Sequence, residues 1–211
     1  MMRGKFIAFE GGEGAGKSTQ VRLLAEALTA RGMSCVVTRE PGGTPGAEAI
    51  RGLLLGTGGE GWHPRAEALL FAAARSDHVE RLIVPALDAG KWVICDRFVD
   101  SSRAYQGGAG GLGDTDVMAL HRVGSNGLLP DLTLLIEVTG AAAAARATAR
   151  DGVAADRIGG RDAAYHGRVA QAFADLATSE PGRFARIAGD GSADEVHRAV
   201  LDALLPLLTS P

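Results

Sequence analysis

Short apolar runs alternate with segments of helical period along the whole chain. Residues 5–10 (KFIAFE) form an apolar run that stops at glycines, which predicts a buried strand. From Ser18 to Arg31, apolar residues recur at Val21, Leu24, Ala25 and Leu28, and Gly32 closes the predicted helix. Residues 34–38 (SCVVT) predict a second strand. Residues 40–46 (EPGGTPG) hold too many helix and strand breakers to be anything but a loop. A short helix is expected over 47–55, then a glycine-rich connection over 56–64. A long helical pattern covers 65–88, bent or broken near Pro85. The third strand is expected over 91–95, ending at Asp96, followed by a helix over 116–123 and a fourth strand over 131–138. An alanine-rich helix over 141–150 leads into a polar, glycine-containing interruption through Gly160. A helix over 162–177, a fifth strand over 183–188 and a helix over 192–208 complete the chain, the last capped by Ser192 and Glu195.

Strands and helices therefore alternate, and several strands read as continuous apolar runs. Both features predict an α/β fold, a parallel sheet covered by helices on two faces. No repeat or linker divides the chain, so residues 1–211 are expected to form one domain, and that length fits one domain.

Composition narrows the class. With 46% hydrophobic and 22% charged residues, the chain can bury a core and is not expected to be disordered. A formal net charge of −3 argues against a non-specific nucleic-acid binder. Of the 22 basic residues only Lys5, Lys17 and Lys91 are lysine, so arginine is the default cation and a lone Arg carries little weight without a motif. Cys35 and Cys95 stand alone, without the spacing of a disulfide framework or zinc site, and read as small buried hydrophobes. No apolar stretch reaches the ~18 residues of a membrane span, and the N-terminus does not read as a signal peptide. No membrane partner and a cytoplasmic location are the expectation.

Gly11-Gly12-Glu13-Gly14-Ala15-Gly16-Lys17-Ser18, followed by Thr19, fits GxxxxGK[ST] between a predicted strand and a predicted helix. The glycines let the backbone wrap a phosphate chain with its N–H groups turned inward, and the helix adds its positive N-terminal end. Lys17 is placed to reach the β- and γ-phosphates of a nucleotide, and the Ser18 hydroxyl to bind Mg²⁺. Such a loop identifies a nucleotide and leaves the reaction open. Asp96 ends a strand at the sheet edge where ligands bind in open parallel sheets, and an acid there suits Mg²⁺ or its waters. Arg97 follows it and suits a phosphate. Phe71 and Arg75 sit four apart on one helix face, an aromatic surface and a planar donor that suit a flat base.

Five segments together carry a resemblance. FEGGEGAGKSTQ (9–20), TREPGGTPGAEAIR (38–51), LLFAAARSDHV (69–79), DRFVDSSRAYQG (96–107) and DRIGGRDAAYHGRV (156–169) resemble the thymidylate kinase family, in its order and near its spacing. The resemblance implies a five-stranded parallel sheet of order 2-3-1-4-5, a homodimer, and transfer of a phosphoryl group from ATP to dTMP with Mg²⁺. It implies that Arg97, Arg39 and Arg51 surround the acceptor phosphate, with Glu40 in the same loop as Arg39. It further implies that thymine stacks on Phe71 and bonds to Arg75, with Ser102 and Gln106 around the base. Tyr105 matches a ring that packs over the deoxyribose, and Glu13 matches an acid that meets the sugar 3′-OH; a lid arginine is the other partner considered for it. The phosphate loop holds no internal cation, so the chain resembles the subgroup that supplies arginines from a lid, here about 146–161. Arg150 and Arg157 are the lid candidates for the transferred phosphoryl group. Gly159-Gly160-Arg161 departs from the family, whose members carry acidic or bulkier residues there. A kinase for another nucleoside monophosphate and a non-catalytic nucleotide switch are the alternatives.

Overall fold

The computed structural model describes residues 3–56, 61–139 and 157–209. Its centre is a parallel sheet of five strands: β1 (Phe6–Glu10), β2 (Cys35–Arg39), β3 (Trp92–Asp96), β4 (Leu132–Glu137) and β5 (Phe184–Ala188). The order is β2-β3-β1-β4-β5, as the resemblance implied. β1 is central and buried at all five positions, which explains its unbroken apolar run, whereas edge strand β2 leaves Val37 exposed. In register, Phe9 of β1 lies beside Asp96 of β3, and Arg39 of β2 lies beside the same Asp96. The ends of the three strands thus bring Glu10, Arg39 and Asp96 to one edge.

Helices cover both faces. On one, Ile7, Phe9, Ile94 and Leu134 pack with Leu24 and Leu28 of α1 (Lys17–Ala30) and with Val200 and Leu204 of the C-terminal helix Ala193–Thr209. That last helix carries the predicted capping box: Ser192 N donates to Glu195 Oε2 at 2.8 Å and Glu195 N to Ser192 Oγ at 3.3 Å. On the other face, Phe6, Val93 and Cys95 pack with Val79, Ile83, Leu87 and Phe98. Among the described residues no helix is long and apolar enough to cross a membrane.

The remaining helices frame the site. α2 is Pro45–Leu55, capped by Thr44, and α3 is Pro64–His78. The helical run expected over 65–88 is continuous but changes gauge. A π-helical turn, Val79–Ile83, separates α3 from α4 (Val84–Asp88). Pro85 has no N–H for the Arg81 carbonyl and its ring would clash there, so the preceding turn widens instead of breaking. The pattern did not foretell α5 (Val99–Ser102) or the π-helical segment Arg103–Ala109 that prolongs it. α6 (Asp114–Ser125) and α7 (Ala163–Ser179) complete the frame, with the C-terminal helix as α8. The helix expected over 141–150 and the lid up to residue 156, Arg150 included, lie outside the described residues.

Candidate active site

The phosphate loop leaves β1 through Gly11 and enters α1 at Lys17. Gly11, Gly14 and Gly16 take φ values of 132°, 70° and 92°. A Cβ on Gly11 would lie 2.3 Å from the Ile136 carbonyl oxygen, so only glycine fits where β1 turns past β4. Between these turns lie Gly12, the exposed Glu13 and the buried Ala15. Lys17 is buried, and its Nζ donates to Gly11 O at 3.1 Å and Gly12 O at 2.8 Å. Burial, with the Arg97 guanidinium beside it, brings this ammonium down to about 8. Ser18 Oγ donates to Asp96 Oδ2 at 2.8 Å, and Thr19 is exposed on the first turn of α1. Two hard oxygen donors beside a phosphate loop suit Mg²⁺, which takes one or two protein oxygens and fills the rest with phosphate and water.

Arg97 follows Asp96 with a left-handed φ of 69°. Three groups hold it there: Nη1 donates to Gly11 O at 3.0 Å and to Ser101 Oγ at 3.1 Å, and Nη2 donates to Glu13 Oε1 at 2.6 Å. Its guanidinium carbon stands 5.2 Å from the centre of the Tyr105 ring. Glu10, fully buried at the end of β1, braces the turn from below. Its carboxyl accepts from Phe98 N at 2.8 Å, Ser101 N at 3.0 Å and Ser101 Oγ at 2.6 Å. The bond from Phe98 N satisfies an N–H that has no partner within the helix, whereas Ser101 N also donates to Phe98 O at 3.1 Å. Burial pushes the Glu10 carboxyl up to about 7; Asp100 adds to the rise, and Arg97, Ser101 and the Phe98 N–H oppose it.

Beyond Arg97 opens a cavity of about 250 Å³. All ten residues expected around the acceptor nucleotide line it: Glu13, Arg39, Glu40, Arg51, Phe71, Arg75, Arg97, Ser102, Tyr105 and Gln106. Ser18 and Asp96 reach the same wall, which joins the phosphate-loop side to the arginine-lined side. Arg75 is buried and hydrogen-bonded through two of its nitrogens. Its Nε donates to Glu40 Oε2 at 2.7 Å and its Nη2 to Ser102 Oγ at 2.9 Å. His78 bridges the other Glu40 oxygen, 3.0 Å from Nδ1, and Thr38 Oγ1, 2.7 Å from Nε2. Arg51 donates to Pro41 O at 2.7 Å, and Arg39 to Glu48 at 2.9 Å. Gln106 Nε2 donates to Glu67 Oε1 at 2.9 Å. Arg157 stands apart from the cavity wall, with Nε donating to Gly56 O at 2.8 Å.

Sequence reasoning missed four polar residues that organise this wall: Glu10, Glu67, His78 and Ser101. Two were signalled by spacing. Glu67, Phe71, Arg75 and His78 follow one another at intervals of four, four and three, a single helix face. Glu10 gave no such signal, because a carboxylate that ends a strand reads as a boundary.

Comparison with known proteins agrees with this geometry. A sequence profile of the family described as thymidylate kinase matches residues 9–200. A thymidylate kinase of Rhizorhabdus wittichii is 56% identical over 208 residues, covering 98% of this chain and 100% of the relative. One from a Bradyrhizobium species is 48% identical over 203 residues, covering 96% and 90%. The crystal structure of thymidylate kinase from Ehrlichia chaffeensis superposes with a TM-score of 0.78 at 33% identity, covering 96% of this chain and 99% of that one. With a family profile along most of its length and such relatives end to end, the chain belongs to the thymidylate kinase family.

Proposed function

We propose that the protein transfers the γ-phosphoryl group of ATP to dTMP, giving dTDP and ADP on the way to dTTP. One observation carries the reading: a single cavity runs from the Ser18–Asp96 pair at the phosphate loop to the Arg75–Ser102 pair, with Arg97 bonded to Gly11 between them. A phosphate monoester has its second pKa near ~6, so the acceptor oxygen is already ionised at neutral pH and no general base is required. The protein's task is to hold two anions in line and neutralise their charge. Lys17 and the loop N–H groups take the donor phosphates, and Arg97, Arg39 and Arg51 take the acceptor phosphate. Phe71 offers a face to the base and Arg75 a donor, while Tyr105 packs on the sugar. Ser18 and Asp96 would hold Mg²⁺, which when bound neutralises charge on the donor phosphates. Arg150 and Arg157 are the lid cations assigned to the transferred group.

Leu53 of α2, Leu69 of α3 and Val123 of α6 are exposed aliphatics on neighbouring helices, and we assign that face to a homodimer. Two free thiols, Cys35 and Cys95, fit a reducing cytoplasm. The test is ADP release from ATP with dTMP, dUMP, AMP, CMP and GMP in turn. dTMP is expected to be the best acceptor, with weak turnover of dUMP, since one methyl is worth only ~1–3 kcal/mol. A purine or cytidine monophosphate as best acceptor overturns the reading.

A further inference from the structure

Arg161 stands just before α7, whose first turn is capped by Asp162 accepting from Tyr165 N at 2.6 Å. Two routes lead from this guanidinium to consecutive residues of the cavity wall. By the first, Arg161 Nη2 donates to Glu67 Oε2, and Glu67 Oε1 accepts from Gln106 Nε2 at 2.9 Å. By the second, the Arg161 guanidinium carbon lies 4.5 Å from the centre of the Tyr165 ring, and Tyr165 Oη donates to Tyr105 O at 2.9 Å. Tyr105 and Gln106 line the cavity, whereas Glu67, Arg161 and Tyr165 do not.

The chemistry of Glu67 makes the first route directional. An ionised carboxylate only accepts hydrogen bonds, so the Gln106 amide must give it the NH₂ end. The carbonyl end then turns away from Glu67, as an acceptor for a base edge that carries an N–H. Glu67 is only 3% exposed, and a carboxylate so buried costs free energy unless it is paired and hydrogen-bonded. Among the described residues, Arg161 is its ion-pair partner. Without that cation the buried carboxylate loses its charge partner, its hold on the Gln106 NH₂ end weakens, and either end of the amide could then face the base.

We infer that Glu67 and Arg161 are positioning residues for base selection: their ion pair fixes the Gln106 amide with its acceptor toward the acceptor nucleotide. The base edge of dTMP carries an N–H between two carbonyls. In dCMP the corresponding ring nitrogen is an acceptor flanked by an amino donor. A fixed amide separates the two, and an amide free to flip does not.

The proposal rests on dTMP being the acceptor, which the unsubstituted enzyme tests first. If that enzyme does not phosphorylate dTMP, the functional reading fails independently of this one. Given an active parent, kcat/KM is measured for dTMP and dCMP in E67Q, R161M and R161K, together with KM for ATP and the melting temperature. E67Q and R161M are expected to raise KM for dTMP about tenfold and to narrow the dTMP-to-dCMP ratio by a similar factor, leaving KM for ATP unchanged. R161K, which keeps the cation, is expected to retain most of the ratio. A merely structural pair would lower the melting temperature and leave the ratio where it was, and that result overturns the proposal. Should E67Q fail to fold, R161M is read alone by the same criterion, because the Arg161 side chain is partly exposed.

Discussion

Arg97 and Glu13 meet across the mouth of the cavity, Nη2 donating to Oε1 at 2.6 Å, while the same guanidinium holds the Gly11 carbonyl at 3.0 Å. The carboxylate of the phosphate loop is thereby paired with one of the guanidiniums assigned to the acceptor phosphate. A cation beside it is needed there, since two unit charges of like sign at 4 Å repel by ~4 kcal/mol at an effective dielectric of 20. The sequence suggested a sugar hydroxyl or a lid arginine as its partner; the structure supplies a third, the residue that follows Asp96.

The first prediction concerns that pair. A hydrogen bond between charged groups contributes ~1.5–3 kcal/mol, so Glu13→Ala should lower kcat/KM for dTMP roughly tenfold or more. Because the partner in hand belongs to the protein, a 3′-deoxy analogue of dTMP should suffer the same loss. A loss confined to dTMP, measured with both acceptors side by side, would return Glu13 to the sugar.

Lys17 trades stability for chemistry. Its substitution by Met should cut turnover by ~10²–10³, the usual cost of one preorganised charge contact. Burial brings the folded ammonium to about 8 from an ordinary 10.5, so the folded chain binds fewer protons than the unfolded one between those values. Stability linked to Lys17 is therefore gained as pH rises through that window and is lost at neutral pH. At pH 7 the Met variant should melt no lower than the parent, and any advantage should shrink above pH 8. A variant that melts well below the parent at pH 7 would contradict this.

Arg75 needs two substitutions to separate its roles. Removing the guanidinium leaves the buried Glu40 uncompensated, so Arg75→Ala should lose ~3–5 kcal/mol of stability by denaturant unfolding. Arg75→Lys keeps the charge and loses the planar fork, so it should fold and show a raised KM for dTMP with that for ATP unchanged. An equal rise in the ATP value would remove Arg75 from the base site.

Glu10 should give the site a pH-sensitive brace. Its folded carboxyl titrates at about 7 against an ordinary 4.5, so the folded chain holds the extra proton between these values. Stability from this group is complete below about 4.5 and declines as pH rises to about 7. Glu10→Gln does not titrate, so its melting temperature relative to the parent should improve from pH 5 to pH 8. A difference that stays constant across that range would rule out the perturbed carboxyl.

The strands and most helices could be read from the chain because each buries one regular apolar pattern, as the unbroken run of β1 and the Leu24–Leu28 stripe of α1 show. That the ten residues named for the acceptor would line one cavity was foreseeable too, but through resemblance; by pattern alone Phe71 would have passed for core. What escaped was polar and buried. Helix α5 and its continuation bury Asp100, Arg103 and Gln106, so no apolar stripe announced them. Asp100 is held by Arg103 and, from β5's edge, by Arg183, a partner 83 positions away that no local pattern could reveal.

The wide turn before Pro85 has a geometric effect on everything upstream of it. Each residue advances a helix by about 100°, so one extra residue in a turn rotates the upstream part by that angle relative to the downstream part. The surface of α3 that bears Glu67, Phe71 and Arg75 is thus set against the surface that seats Ile83 and Leu87 in the sheet by the gauge of one loose turn. Deleting a single residue within 79–83 together with Pro85→Ala would let the helix regularise and keep Leu87 seated, while swinging Glu67, Phe71 and Arg75 through roughly a quarter turn. In that sense the helix behaves as a clock hand on a geared shaft, with nucleotide recognition and sheet packing indexed separately.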